Sequence, residues 1–290
     1  MLIYISTIVI ALALSIAGSL TFWRIQHWYD FYIPIVLFIA GLVGMIAFWW
    51  IFVWIAGKFV KKEMHPKQSK WARFWLEEGH DFLMLAALVK IVVNNKEKLP
   101  TNQRFLLVGN HRSNFDSMSM TSKLKKYDLA FITKQSNYKI PLFGRLLYGA
   151  CFYPVDRENQ IQSLETFKKA SELITNNECS VAVFPEGTRQ REKVLGDFHE
   201  GVFNIALRAK CPVVIVTAKG SEMVHRNFPF RPTKITIDVL GTLPYEAIEG
   251  MTAKAISDQA HSIMEDHLKK IDILEYERKR TEKESKKKGV

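Results

Sequence analysis

The sequence predicts an α/β domain, a mixed and mostly parallel sheet flanked by helices, preceded by an N-terminal membrane anchor of two hydrophobic helices. Three observations carry this. The first 57 residues hold two long runs without a charged side chain, separated by a short gap containing Arg24 and Asp30. After Pro100, short apolar runs alternate with helix-patterned segments, the rhythm of a sheet with helices on its faces. Those runs are almost continuously apolar, as strands covered on both sides are.

The runs Met1–Trp23 and Phe31–Gly57 each reach the roughly 20 apolar residues that a bilayer-crossing helix needs. Neither carries the polar stripe of a buried core helix. A signal peptide is the rival for the first run. It lacks a basic n-region, exceeds an h-region of roughly 7–15 residues, and holds its cleavage-like Ala11-Leu12-Ala13 inside the apolar stretch. Two spans are predicted; Pro34 and the Gly41/Gly44 pair also permit a hairpin confined to one leaflet.

The net charge of +11 falls entirely beyond residue 57, because Arg24 and Asp30 cancel. Lys58, Lys61, Lys62, Lys67, Lys70 and Arg73 follow the second run directly. By the positive-inside rule this flank is cytoplasmic, so a cell-membrane location with the rest of the chain facing the cytoplasm is expected. Membrane lipids with anionic headgroups are the expected partner of the basic surface. Nucleic acid is not, since no recognition motif accompanies the charge. Cys151, Cys179 and Cys211 are far apart and form no metal-type pair, so no metal site is expected.

The anchor is assigned to residues 1–57 and an interfacial helical connector to 58–100. In the connector, Trp71, Phe74, Trp75, Phe82, Leu83, Leu85 and Leu88 recur at roughly helical spacing. Its Lys70–Trp75 mixture of aromatic and basic residues suits a membrane–water boundary, and equally an ordinary core face. The α/β domain is assigned to 101–272. Strands are expected at 105–108, 129–133, 151–155, 181–184, 213–217 and 235–240, and helices at about 116–126, 159–176, 199–209 and 247–271. A basic tail, 273–290, ends the chain. Its Arg278–Lys288 stretch holds seven basic and two acidic residues and reads as a frayed helix or disordered arm, either solvated or lying on the membrane.

The chemistry centres on Asn110-His111-Arg112-Ser113-Asn114-Phe115-Asp116, directly after a strand-like run. A carboxylate on one ring nitrogen fixes the tautomer of a histidine, and the other nitrogen is then able to accept a proton from an alcohol. Within one helix a five-residue offset puts two side chains about 140° apart. His111 and Asp116 therefore meet only if His111 lies in a turn and Asp116 opens or inhabits the following helix. Asn110, Ser113 and Asn114 are turn and N-cap formers that suit this layout. A structural histidine at a turn is the rival reading.

A second group is Phe184-Pro185-Glu186-Gly187-Thr188-Arg189, again at the end of a strand-like run. Gly187 permits a close approach of backbone amides, Thr188 adds a hydroxyl, and Arg189 offers a fork for phosphate. Glu186 reads as a ligand for a substrate hydroxyl or as a support for the arginine. Lys134 and Arg157 each follow a strand-like run, so both cations are able to join Arg189 at one sheet edge. Between them, Ile140-Pro141-Leu142-Phe143, Gly144 and Gly149 either wall an acyl channel or fill core.

Together these blocks resemble the glycerolipid acyltransferases, the lysophosphatidate acyltransferase-like enzymes. Asn-His-x-Ser-x-x-Asp at 110–116 is similar to their first block. Lys134 with Ile-Pro-x-Phe-Gly at 140–144 resembles the segment after it. Gly149 through Val155-Asp156-Arg157 resembles the second block, Phe184–Arg189 the third, and Cys211–Val216 the hydrophobic fourth. The order is the family's, from about Arg104 to Gly241. Arg112 stands where glutamine is frequent, and Ile215 where a second proline often lies.

The resemblance implies that His111 is the general base and that Asp116 holds it. It implies that Lys134, Arg157, Glu186, Gly187, Thr188 and Arg189 bind the glycerol phosphate of the acceptor. It also implies transfer of a fatty acyl group from acyl-CoA or acyl-carrier protein to lysophosphatidate, giving phosphatidate. Neither a bound cofactor nor a metal is required, because the thioester is a co-substrate. The alternatives are acylation of another lysophospholipid or of glycerol 3-phosphate, a hydrolase using the same pair, and a non-catalytic lipid-binding membrane protein.

Overall fold

The computed structural model describes residues 2–21, 32–141, 143–156, 159–190 and 194–287. Ten α-helices and seven strands lie in these segments. Helices α1 (Leu2–Thr21) and α2 (Tyr32–Gly57) form a hairpin and precede α3 (Lys70–Ala86). Strands β1 (Val89–Asn94) and β2 (Leu106–Gly109) lead to α4 (Phe115–Lys123), β3 (Ala130–Lys134) and α5 (Phe143–Gly149). Strand β4 (Tyr153–Val155), α6 (Gln160–Thr175), β5 (Val181–Val183), α7 (Asn204–Ala209) and β6 (Val213–Lys219) follow. The chain continues through α8 (Val224–Asn227), β7 (Thr233–Leu243), α9 (Tyr245–Ile248) and α10 (Ala253–Lys287).

The sheet order is β1-β7-β6-β2-β5-β3-β4. Every pairing is parallel except β6 with β7. The C-terminal ends of β2, β3, β4, β5 and β6 therefore share one edge. Because β7 runs antiparallel to β6, the N-terminal ends of β7 and β1 lie at that edge too.

Alternation along each strand splits the core into two layers. Leu107, Val214 and Val216 face a cluster with Leu76, Met120 and Leu146, from helices α3, α4 and α5. Leu106, Val108, Val213 and Ile215 face the other way, toward Leu173, Ile205 and Met264 of α6, α7 and α10. Helices thus cover both faces of the central strands, which is why β2 and β6 tolerate unbroken apolar sequence.

Two segments differ from the sequence reading. The 58–100 stretch contains α3 and also an edge strand, β1, so the sheet begins at Val89 rather than beyond Pro100. The helical pattern of 247–271 continues as α10 to Lys287, taking in most of the basic tail.

Helix α3 is tied down by Arg73, which is only 4% exposed. Its guanidinium donates to the carbonyls of Leu129 (2.6 Å) and Ala150 (2.7 Å), and its Nε donates to Gln68 Oε1 at 3.0 Å. These charge-assisted bonds fasten α3 to the sheet edge opposite the one that carries His111.

In the hairpin, a Cβ on Gly41 would lie 3.3 Å from the Cα of Ala11, so the helices touch there backbone to backbone. Ser15 donates to the Pro34 carbonyl at 2.6 Å and Trp49 to Thr7 at 3.2 Å. Pro34 sits in the first turn of α2, where its missing N–H has no partner to lose. Among the described residues, α2 alone is long and apolar enough to cross a membrane; the apolar stretch of α1, Tyr4–Leu20, is shorter. The two full spans expected from sequence reduce to one such helix with a companion.

The hairpin base docks on α3 through Trp49 and Phe52 against Trp75, and Trp50 against Phe82. Just past α2, the carbonyls of Lys58 and Val60 accept from Arg145, and Val60 packs at Gly149 beside Ser69 and Ala72, at the start of α3. The two helices therefore run in opposite senses, and the earlier part of α2 is carried toward the C-terminal end of α3.

Candidate active site

Strand β2 ends at Gly109, and Asn110 then clamps the chain to β6. Its side chain donates to the Ala218 carbonyl (3.0 Å) and accepts from the Ala218 amide (2.7 Å). The chain turns through residues 111–114 and enters α4, in which Asp116 is the second residue. Asp116 is fully buried. Its Oδ2 accepts the amides of Arg112 and Ser113, both at 2.7 Å, and faces His111 Nδ1 at 3.1 Å. One carboxylate oxygen thus holds both the turn and the imidazole. Asn114, at the N-cap position, makes no side-chain cap bond; Ser113 serves the first amides of α4 instead, its hydroxyl accepting from Phe115 at 3.3 Å and its carbonyl from Asp116 at 3.0 Å.

The ring of Phe184 lies flat against that of His111, centroids 4.3 Å apart with an interplanar angle of 1°. The loop after β5 also holds both backbone groups of His111. Glu186 Oε1 accepts the His111 amide at 2.6 Å, and the Gln190 amide donates to the His111 carbonyl at 2.8 Å. The other oxygen of Glu186 accepts from the Gly196 amide at 3.0 Å. Within the loop, the Gly187 amide donates to the Phe184 carbonyl at 3.0 Å, and Gly187 then takes φ +67°, a conformation glycine adopts without strain.

The sequence pattern points to Glu186 as a substrate ligand or a partner of the arginine. Its placement differs: the side chain is 4% exposed, and both oxygens are occupied by backbone amides. Burial pushes its carboxyl up to about 7, while the two amide bonds and Arg112 oppose that rise.

Thr188 and Arg189 are exposed at the loop tip, and Lys134 is exposed at the end of β3. Since β3 is paired with β5, both cations stand at the edge that carries His111. Arg157 lies outside the described residues, as does Leu142. Of the 140–143 segment, Ile140 is exposed. Phe143 lines an apolar cavity of about 210 Å³ together with Gly79, Phe82, Trp50 and Trp75. Gly144 and Gly149 are packing positions, because a Cβ would fall 2.1 Å from the Tyr138 carbonyl oxygen and 2.5 Å from the Ala72 Cβ.

Three further residues belong to the site. Phe184 supports the imidazole, and its signal was an aromatic placed one residue past a strand. Arg112 is largely buried and lies 3.8 Å from Glu222, in the segment after β6. Phe115, which opens α4, meets the ring of His225. The last two carry no local sequence signal, because their partners lie about 110 residues away. Among the described residues no cluster of three His, Cys, Asp or Glu side chains is arranged to hold a metal. Cys151, Cys179 and Cys211 are free and buried.

Residues 90–219 match the family model described as Acyltransferase. A 1-acyl-sn-glycerol-3-phosphate acyltransferase of Cocos nucifera is 27% identical over 170 residues, covering 58% of this chain and 55% of that protein. One from Haemophilus influenzae is 23% identical over 181 residues, covering 61% and 75%. A probable one from Mycoplasma pneumoniae is 31% identical over 154 residues, covering 52% and 56%. The match to this chain thus spans about half the length of the Cocos and Mycoplasma proteins and three quarters of the Haemophilus one. The crystal structure of the 1-acyl-sn-glycerophosphate (LPA) acyltransferase PlsC from Thermotoga maritima superposes with a TM-score of 0.58 at 20% identity. It covers 78% of this chain and 89% of that one, and shows a shared fold. Over residues 90–219 the chain is thus similar to an acyltransferase domain, and over 58–61% of its length to proteins named 1-acyl-sn-glycerol-3-phosphate acyltransferase.

Proposed function

We propose that this protein is a membrane-anchored enzyme that transfers a fatty acyl group from an acyl-CoA or acyl-carrier-protein thioester to the free hydroxyl of lysophosphatidate. The carrying observation is the 3.1 Å contact between His111 Nδ1 and the buried carboxylate of Asp116. Asp116 is itself locked by two amides, so it favours the tautomer with hydrogen on Nδ1 and leaves Nε2 to take a proton. Nε2 removes the proton of the acceptor hydroxyl as its oxygen attacks the thioester carbonyl carbon. The tetrahedral intermediate expels the thiolate, which takes that proton back from the imidazolium. One ester forms, one thioester breaks, and no acyl-enzyme is made.

Arg189 and Lys134 bind the acceptor phosphate, with Arg157 as a third cation. Glu186 acts through His111 rather than on the substrate. Because both acceptor and product live in a bilayer, the α1–α2 hairpin keeps the site at the membrane surface, on the cytoplasmic side if the lysines after α2 follow the positive-inside rule. The names of the relatives support lysophosphatidate as acceptor.

The test is a purified, lipid-reconstituted enzyme given lysophosphatidate with acyl-CoA or acyl-carrier-protein donors. Phosphatidate and free thiol should appear in equal amounts and only when acceptor is present. Fatty acid released without acceptor would make the protein a hydrolase; no thioester turnover with any lysolipid would make it a binding protein.

A further inference from the structure

Outside α1 and α2, several exposed large apolar side chains of the described residues lie at the sheet edge that holds His111. Leu85 and Leu88 precede β1, Ile161 follows β4, Val194 follows β5, and Phe228 and Phe230 follow β6. The last pair is the most pronounced feature: Phe230 is 89% exposed and Phe228 50%, in a loop between α8 and β7. Isolated exposed apolar residues need no explanation, but two aromatic side chains in one short loop at a functional edge do.

Within the loop the charge has one sign, and the flanking acids Glu222 and Asp238 face Arg112 and His267. From Met223 to Ile237 the sequence contains Arg226, Arg231 and Lys234 and no acidic residue, and all three cations are exposed. Aromatic side chains at a tip with cations at its base match the boundary between headgroups and acyl chains, where rings bury and cations meet anionic phosphates. An acidic protein partner would account for the cations and leave the protruding rings without a role.

The loop is also continuous with the two features nearest to it. Glu222 and His225 join it to the His111 turn through Arg112 and Phe115. The Thr233 amide donates to the Leu88 carbonyl at 3.0 Å, which ties its far end to the C-terminus of α3. That end of α3 is where the earlier part of α2 is directed.

We propose that the 223–232 loop is a second membrane contact: Phe228 and Phe230 enter the outer acyl region of a bilayer while Arg226, Arg231 and Lys234 pair with anionic phospholipid headgroups. It rests on the membrane reading of the hairpin and adds a contact at the edge that carries His111. The reacting edge is then held at the lipid surface by two elements, the hairpin and this loop.

The test uses the full chain carrying Phe230→Cys, labelled with an environment-sensitive fluorophore. Vesicles are phosphatidylcholine with or without phosphatidylglycerol, each with or without lipids bearing a shallow spin label. An unsubstituted chain corrects for the buried native thiols. Val43→Cys in α2 reports the hairpin, and Asn176→Cys reports the opposite sheet edge. The expected result is a blue shift and several-fold quenching at positions 43 and 230, with none at 176. Arg226→Ser with Arg231→Ser should weaken quenching at 230 severalfold in anionic vesicles only. Insertion at 43 with an aqueous signal at 230 overturns this proposal and leaves the hairpin reading intact. Aqueous signals at both positions overturn both. A signal at 230 that shifts with acyl-carrier protein and not with vesicles overturns it in favour of a protein partner.

Discussion

Glu186 holds His111 by the backbone: its Oε1 accepts the His111 amide at 2.6 Å while Phe184, two residues earlier, lies flat on the imidazole. The loop after β5 therefore fixes the position of the proposed base, and the Asp116 carboxylate faces its Nδ1 at 3.1 Å. The two block motifs form one unit.

The base itself gives the first prediction. His111→Ala should lower acyl transfer by about 10²–10⁴-fold with an unchanged circular dichroism spectrum and normal membrane recovery. Activity near that of the unsubstituted enzyme would remove His111 from catalysis.

Asp116→Asn keeps the shape but weakens the acceptor that serves two amides and favours the wrong imidazole tautomer. We expect kcat to fall by about 10²-fold or more and stability to fall by about 1–3 kcal/mol. Chemical denaturation and steady-state kinetics on the same preparation separate the two effects.

For Glu186, the kinetic split decides between a brace and a ligand. Glu186→Gln turns one backbone donor toward an NH₂ group, so the His111 segment should shift and kcat should fall while the acceptor KM stays near its original value. A raised KM with unchanged kcat would restore the substrate-ligand role.

The same residue sets a pH dependence. Its carboxyl is pushed up to about 7 by burial, above its ordinary value of 4.5. Between those two values the unfolded chain has released the proton and the folded chain retains it, so stability should decline as pH rises from about 4.5 to 7. Thermal melts of the Glu186→Gln variant should show a smaller decline over that window.

Arg189→Ala should raise the KM for a phosphorylated acceptor by about 10–100-fold, the worth of a charge-assisted hydrogen bond. The KM for the thioester should stay within error. Equal KM values for the acceptor in both enzymes would exclude Arg189 from phosphate binding.

Six of the seven strands are legible as apolar runs because helices cover both faces of the central ones. Strand β1 is not. Val89–Asn94 is an edge strand with Lys90 and Asn94 exposed, so it lacks a continuous apolar signature and follows an aromatic helical pattern. The antiparallel β6–β7 pairing is equally hidden, since periodicity carries no strand order. At the site, the divergence of His111 and Asp116 on a helical wheel already requires the turn that the fold supplies. The brace from Glu186 depends on the amides of His111 and Gly196, which only the folded chain brings to it. A polar side chain in a loop looks the same in sequence whether it points at solvent or is buried under its neighbours.

The Arg73 clamp has a mechanical consequence. A guanidinium bonded to Leu129 and Ala150 carbonyls makes α3 a strut that resists tilting, because displacing it strands a buried charge. The hairpin rests on that strut at Trp75 and Phe82, and the sheet is fastened to its other side. On the proposed membrane reading, the depth of the hairpin in lipid is transmitted to His111 as a fixed height, and the reach of the imidazole to a hydroxyl becomes a matter of architecture rather than of loop motion.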